Sequence, residues 1–505
     1  MQLVAYGAQD VYLTGNPKVT FFQAVYKRHT NFALENIQQT VNGSATSNGR
    51  VSVTVARNGD LIGEMYIDLQ TQTTGCNTYS GPSISFPDGC WLAERAILDI
   101  ELSIGGQRID KHYQRWWRLY SELFLDSEKK SNYAQLTCNP TGEPFFANGT
   151  SGANAGQVML PLLFFFNRNP GLYLPLIALQ YHEVRLDFDL SSEYSVCFTP
   201  TFNVWGNYVY LDTEERRRFA QKGHEYLIEQ VQHTGTDSLN LPAGSTSSGS
   251  GAQIRLSYNH PVKELIWCIT YNAGFAGKQL WDFTSNCGTA NNVILSLQTS
   301  NLFAGGSVAA GAYPGPYYSN LIAGGSNSTL GLSSNSFTAM PYGYQGTPLL
   351  INVPTAFSPN GAQGGYAGQT IGCTWTEDGN PIGVAPGPNA GRSQSVGPLA
   401  SFRLILNGQD RMKDQSGKYY NQMEPYWHHS GNPYPGIYCY SFALKPEEHQ
   451  PTGTCNFSRI DNAQVDVRIK SGVNPNQAGN TLEMYAVNYN VLRIQSGMGG
   501  LAFSN

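Results

Sequence analysis

The chain has 505 residues, 41% of them hydrophobic, with 30 Tyr, 23 Phe, 54 Gly and 27 Pro, enough for two or three domains rich in strands and turns. Only 13% are charged and the net charge is −5, which excludes the basic surplus of a nucleic-acid-binding surface; the one short basic run is Arg216-Arg217-Arg218. The 9 cysteines, an odd number with no CxxC pair, argue for free thiols made in a reducing compartment and against a disulfide framework.

In chain order, MQLVAYGAQDVY lacks the basic and apolar regions of a secretory signal. Asn16-Pro17 reads as a helix start, after which Val19, Phe22 and Tyr26 share one face and Lys27-Arg28 sit near the end that favours positive charge. Such a helix either packs on the core or docks as an arm on a neighbour. From residue 33 the period is two. Val51, Val53 and Val55 alternate with polar or small residues before an Asn58-Gly59 turn, and Met65, Ile67 and Leu69 continue the pattern. Leu98, Ile100, Leu102 and Ile104 oppose Asp99, Glu101 and Ser103, and Val184, Leu186, Phe188 and Leu190 oppose Arg185, Asp187 and Asp189. These runs predict half-buried antiparallel strands.

Trp116, Tyr120, Leu123 and Phe124 recur at helical spacing and predict a helix at about 115–127. The apolar stretch 160–179 is interrupted by Asn167-Arg168-Asn169-Pro170-Gly171, so neither half spans a bilayer; two buried strands, or a strand and a short helix, fit. A further helix opens at Asp212, with Glu215 as capping-box partner.

The chain also repeats itself. KRHTNFALENIQQT at 27–40 is echoed by KGHEYLIEQVQHT at 222–234, LDIELSIGGQ at 98–107 by ASFRLILNGQ at 400–409, and HEVRLDF at 182–188 by AQVDVRI at 463–469. The offset of the last pair also lays Asn207-Tyr208 on Asn488-Tyr489. Four echoes in one order predict two copies of one domain, and a duplicated domain suits a protein that builds something. The second copy carries an insertion at about 271–397 with no charged residue between Asp282 and Glu377. Its recurring aromatics, such as Phe303, Tyr313 and Trp375, and the strand-like LLINV at 349–353 favour ordered surface loops over a disordered linker.

Chemistry is hard to find. There is no HExxH and no GxSxG, and Gly274–Lys278 is followed by Gln279 where a P-loop needs Ser or Thr. SGMGG at 496–500 reads as a C-terminal turn, because too few residues follow to form a phosphate-binding helix. His428-His429, placed on a strand, point to opposite faces and share no metal. Glu214-Glu215 and Glu447-Glu448 read as solvated pairs, although an opposed carboxylate pair of the kind used by a glycan-cleaving β-sandwich stays open. Nothing calls for a catalytic residue, a cofactor or a metal. N-x-[ST] sites occur at Asn42, Asn148, Asn327 and Asn456, with Asn327, inside the uncharged insertion, the best glycosylation candidate.

The expected fold class is all-β, two β-sandwiches with a few short helices, the jelly roll being the common form at this size. GAQDVYLTGNPKVTFFQAVYKRHTNFALENIQQTVNG at 7–43, ELSIGGQRIDKHY at 101–113, LPLIALQYHEVRL at 174–186, LDTEERRRFA at 211–220, GTCNFSRIDNA at 453–463 and NYNVLRIQSGMGGLA at 488–502 make it specific. Together they resemble the major capsid protein family of nucleocytoplasmic large DNA viruses, those of large icosahedral algal viruses in particular. The likeness runs the length of the chain and fails only at about 70–90, 137–157 and 271–397. The resemblance implies two tandem eight-stranded jelly rolls, a double jelly roll, that forms a homotrimer and a pseudo-hexagonal capsomer in the virion shell. It implies residues 1–26, with Pro17, Val19, Phe22 and Tyr26, as an assembly arm at the capsomer base. Jelly roll 1 then covers 27–212, a linker helix 213–224 and jelly roll 2 225–505. Implied partners are the chain itself, neighbouring capsomers, minor capsid proteins and the inner viral membrane side, with no direct nucleic-acid contact. A minor double-jelly-roll paralogue is the second reading and a glycan-binding or glycan-cleaving β-sandwich the third.

Overall fold

Alternating apolar residues carry the first half of the chain into eight principal strands: β1 (Phe32–Gln38), β2 (Arg50–Thr54), β3 (Leu61–Thr71), β4 (Ile97–Ile104), β5 (Gln107–Tyr113), β6 (Gln157–Pro161), β7 (Val184–Leu190) and β8 (Phe198–Leu211). The computed structural model describes residues 27–71, 92–137, 157–192, 194–239, 251–271, 398–431, 436–469 and 480–503, with short or isolated pieces elsewhere. The strands pair antiparallel in two sheets, ordered β1-β8-β3-β6 and β2-β7-β4-β5. Between the sheets Val51, Val53, Met65, Ile67, Leu69, Val184, Leu186, Phe188 and Leu190 are all buried, each worth about 1.5–3 kcal/mol of transfer free energy for a large aliphatic or aromatic side chain.

The second half repeats the plan with β9 (His224–Ser238), β10 (Gly251–Leu256), β11 (Pro261–Tyr271), β12 (Leu399–Leu406), β13 (Gln409–Asp410), β14 (Ile437–Ser441), β15 (Ala463–Ile469) and β16 (Asn480–Gln495). Its sheets run β9-β16-β11-β14 and β10-β15-β12-β13, the first pair of sheets with eight added to each label. Both halves are jelly rolls, and each echo in the sequence falls on corresponding strands. The register agrees as well: Glu35 faces Tyr208 and Asn36 faces Asn207 across β1 and β8, while Glu229 faces Tyr489 and Gln230 faces Asn488 across β9 and β16.

Two details differ from expectation. Leu98 is exposed, not on the core face with Ile100, Leu102 and Ile104. Ile97 pairs with Leu190 and Asp99 with Asp189, so β4 carries a bulge that buries Ile97 and turns Leu98 outward. The helix expected at 115–127 is α1 (Gln114–Phe124), after which the chain extends at Leu125 and a second helix follows, α2 (Ser127–Thr137). No apolar period announces α2. It starts where Asp126 accepts the backbone N–H of Lys129 at 2.8 Å, and buried Tyr133 anchors it by donating to Glu94 at 2.7 Å.

Residues 160–179 form the end of β6, a short helix α3 (Phe165–Arg168) and a 3-10 turn at Pro170–Leu172. Between the halves lies α4 (Thr213–Gln221), with Asp212 accepting from the N–H of Thr213 at 2.7 Å. In jelly roll 2 a π-turn (Tyr419–Met423) leads into α5 (Glu424–His428). Within the insertion Leu349–Asn352 pairs with Thr370–Cys373, as LLINV suggested. The helix foreseen from Asn16-Pro17 and most of the insertion lie outside the described residues.

Jelly roll 2 has its own core around Trp267, Phe402, Tyr420 and Tyr438. Ile266, Cys268, Ile437, Cys439, Tyr485 and Val487, on the other face of its β9-β16-β11-β14 sheet, join the core of jelly roll 1 instead. That sheet is therefore covered on both sides, and β16 is buried at every residue from 482 to 490.

Candidate assembly site at the junction of the jelly rolls

The connection from β5 to β6 supplies the docking element. Tyr113 ends β5 with its ring edge-on to His233 at 4.9 Å, and Trp116 on α1 lies 5.8 Å from Tyr485. Between them Arg115 pairs with Glu483. The far end of α1 is capped from the other jelly roll: Gly431 N–H donates to Leu123 O at 2.8 Å and Ser430 Oγ to Phe124 O at 3.0 Å, satisfying carbonyls that a helix end leaves free. Below, Val231 N–H donates to Asp110 at 3.0 Å and Gln230 to Ile109 O. Beyond β16 the chain turns at Ser496-Gly497 and a short strand, Met498–Leu501, reaches jelly roll 1, where Gly499 contacts His182 at 2.9 Å and Gln107 accepts from Leu501 N–H at 3.2 Å. SGMGG is thus the turn and return of a hairpin.

Charge is gathered at the same seam. Glu229 holds Arg168 at 3.0 Å and Lys263 at 2.6 Å, and Lys263 also donates to Pro446 O at 2.6 Å. His429 lies between Glu264 at 3.3 Å and Glu447 at 3.5 Å, its side chain and that of Glu264 out of solvent. Burial opposes protonation of His429, but the Cys439 thiol, Glu264 and Glu447 outweigh it and hold its pKa well above the usual value. His428-His429 therefore do not sit on a strand. They end α5, and His429 is an interior ion-pair residue. Glu447 is likewise not simply solvated, since it also accepts from Ser430 N–H at 2.7 Å.

A cleft of about 480 Å³ opens here, lined by Tyr120, Phe124, Arg168, Glu229, Lys263 and Glu447 among others. Two carboxylates in a cleft are what a glycosidase needs, one of them with a raised pKa to serve as acid. Here burial would raise Glu229, but Arg168 and Lys263 hold it below its ordinary range. His429 and Ser430 do the same for Glu447 against its burial. Neither is poised as a proton donor. Among the described residues no three metal-ligating side chains converge, and no helix is long and apolar enough to cross a membrane.

Of the residues singled out in the sequence, Asn42 is exposed on the short strand Val41–Gly43. Asn456 is exposed too, its Oδ1 accepting from Ser458 N–H at 3.0 Å. Asn148, Asn327, Pro17, Val19, Phe22 and Tyr26 lie outside the described residues. The seam residues were not anticipated. The available signal was Lys263-Glu264, two charges inside the apolar run of β11, which must be paired if buried.

Two family models match in tandem. "Major capsid protein N-terminus" covers residues 20–212, and "Large eukaryotic DNA virus major capsid protein" covers 215–500. The chain belongs to the major capsid protein family of large eukaryotic DNA viruses. It is 38% identical to the major capsid protein of Paramecium bursaria Chlorella virus 1 and 37% identical to that of Phaeocystis pouchetii virus, in each case over 100% of this chain and 99% of the relative. A chain of the PBCV-1 virus capsid superposes with a TM-score of 0.64 at 33% identity, covering 96% of this chain and 100% of that one. The Faustovirus major capsid protein shares the fold, with a TM-score of 0.54 at 13% identity. The two family models meet at α4. The seam is where the capsid protein fold fastens one jelly roll to the next.

Proposed function

We propose that this chain is the main building block of an icosahedral virion shell, and that three copies close into one pseudo-hexagonal capsomer. The observation that carries the reading is the strand-for-strand equivalence of the two jelly rolls: three chains present six comparable walls around a threefold axis, and such blocks tile a face with few kinds of contact. The low charged fraction suits a surface largely covered by copies of itself. The role is structural and not enzymatic, which the ion-paired carboxylates of the cleft support.

In this reading residues 1–26 form the arm at the capsomer base, facing minor capsid proteins and the inner membrane side. Jelly roll 1 occupies 27–212, the linker helix 213–224 and jelly roll 2 225–505, with the 271–397 insertion as outer decoration and Asn327 its best glycan acceptor. Light scattering on the purified protein tests the reading. A stable species of three chain masses of 55.3 kDa each supports it, and a monomer at high concentration overturns it.

A further inference from the structure

The duplication puts two equivalent connections in one chain, and among the described residues only one of them is docked on a sheet. The β5–β6 connection of jelly roll 1 holds α1, which covers the outer face of the β9-β16-β11-β14 sheet. The equivalent β13–β14 connection of jelly roll 2 holds the π-turn and α5. Its Tyr420 and Glu424 are buried, but Met423, Tyr426 and Trp427, spaced to share one face, are 42%, 81% and 54% exposed. Tyr419 stands edge-on to Trp427 at 6.4 Å and extends the patch. Isolated exposed aromatics are ordinary, but contiguous ones on a helix mark a contact surface.

The matching receptor is left partly open among the described residues. The sheet of jelly roll 1 that corresponds to the covered one is β1-β8-β3-β6. Along β8, buried Phe202, Val204 and Tyr208 alternate with half-buried Asn203, Trp205 and Asn207, whereas the corresponding part of β16 is buried throughout. Trp205 pairs across strands with Tyr66, also half-buried, and on neighbouring β1 Phe32 and Leu34 are exposed. Among the described residues one chain therefore carries an undocked helix and a partly open sheet, each the counterpart of a half of the seam already made within the chain.

We infer that the face formed by Met423 of the π-turn and Tyr426 and Trp427 of α5 docks on the outer face of the β1-β8-β3-β6 sheet of a second copy, around Tyr66 and Trp205. The inference rests on the trimer reading and specifies its contact. The contact is heterologous, helix to sheet, so every copy gives one and receives one, and a ring closes without a free half. Junctions within and between chains then alternate around the ring with the same kind of packing.

The test uses the full chain. With the wild-type protein established as a trimer by light scattering, Y426A/W427A on the helix side and W205E on the sheet side are each measured the same way, with circular dichroism and thermal melting to score folding. Each is expected to be a folded monomer, with trimerisation weakened about 100-fold or more, as for loss of buried aromatic anchors. Mixing the two folded variants restores one intact contact, helix of one to sheet of the other, and is expected to give a dimer that grows no further. Wild-type trimer stability in both variants, or a mixture that stays monomeric, overturns the inference while leaving the trimer reading intact. A monomeric wild type overturns the trimer reading itself. Should one variant misfold, the other still decides.

Discussion

Lys263 of β11 and Glu229 of β9 meet at 2.6 Å with 2% and 7% of their side chains exposed, and Arg168 of jelly roll 1 completes the group at 3.0 Å. Glu229 thus faces one cation from each jelly roll. Replacing Glu229 by Gln leaves buried Lys263 without its carboxylate beside half-buried Arg168 and should destabilise the protein by about 3–5 kcal/mol. Arg168→Met should cost less, since Lys263 still balances Glu229. Urea denaturation of both variants checks the order, and an E229Q loss no larger than that of R168M contradicts it.

His429 gives the seam a pH dependence. Its folded pKa is raised, so the stability it contributes is fully present below its unfolded pKa and is lost as pH rises through the folded value. The groups facing it are Glu264, Glu447, Cys439 and the Phe124 ring. The stability gap between wild type and H429Q should be largest below the ordinary histidine value of 6.5 and shrink as pH rises through the raised folded value. A gap that stays constant across the pH range would falsify this assignment.

Glu94 adds a second loss of stability with rising pH, over a more acidic range. Burial pushes it up to about 7 from 4.5, against the pull of Arg118 and the hydrogen bond from Tyr133. A raised carboxyl binds its proton more tightly in the folded state, so its contribution favours folding below 4.5 and fades as pH rises through about 7. Glu94→Gln should remove that slope and leave stability at neutral pH unchanged or higher. Thermal melts across this range decide, and a slope that survives the substitution counts against it.

Gly431 is set by contact, not by its turn. A Cβ there would stand 2.4 Å from both Glu122 O and Leu123 O, backbone atoms at the end of α1 that cannot move aside. Gly431→Ala should cost about 1–3 kcal/mol as an overpacked site and should loosen the seam first. Hydrogen exchange at the N–H groups of 430 and 431 should speed up before that of β15. Unchanged exchange at the seam contradicts this.

The strands and the duplication were legible because a period of two survives wherever one face is buried. Val184 to Leu190 and Met65 to Leu69 fall as read. Leu98 did not, because a bulge adds one residue without disturbing the written alternation. α2 was silent because SEKKSNYAQLT has no apolar stripe and depends on Asp126 and Glu94, neither visible as a cap from composition alone. The seam was the least legible part. Its residues, Arg115 and Glu483 or Phe124 and His429, are hundreds of positions apart and are brought together only by docking. His429 looked like half of a surface pair until a helix end and two carboxylates enclosed it.

The hairpin at 496–501 also fixes an order of events. Chain order makes it emerge from the ribosome after every strand of both jelly rolls, yet its Gly499 and Leu501 fill places on jelly roll 1 at His182 and Gln107. Jelly roll 1 therefore carries a ledge at Gln107 and His182 that only a segment made after both jelly rolls fills. A chain stopped before residue 496 would leave that ledge empty. It would keep the docking of α1 and the Glu229 ion pairs, and lose the one clasp that runs from the far end of β16 back to jelly roll 1.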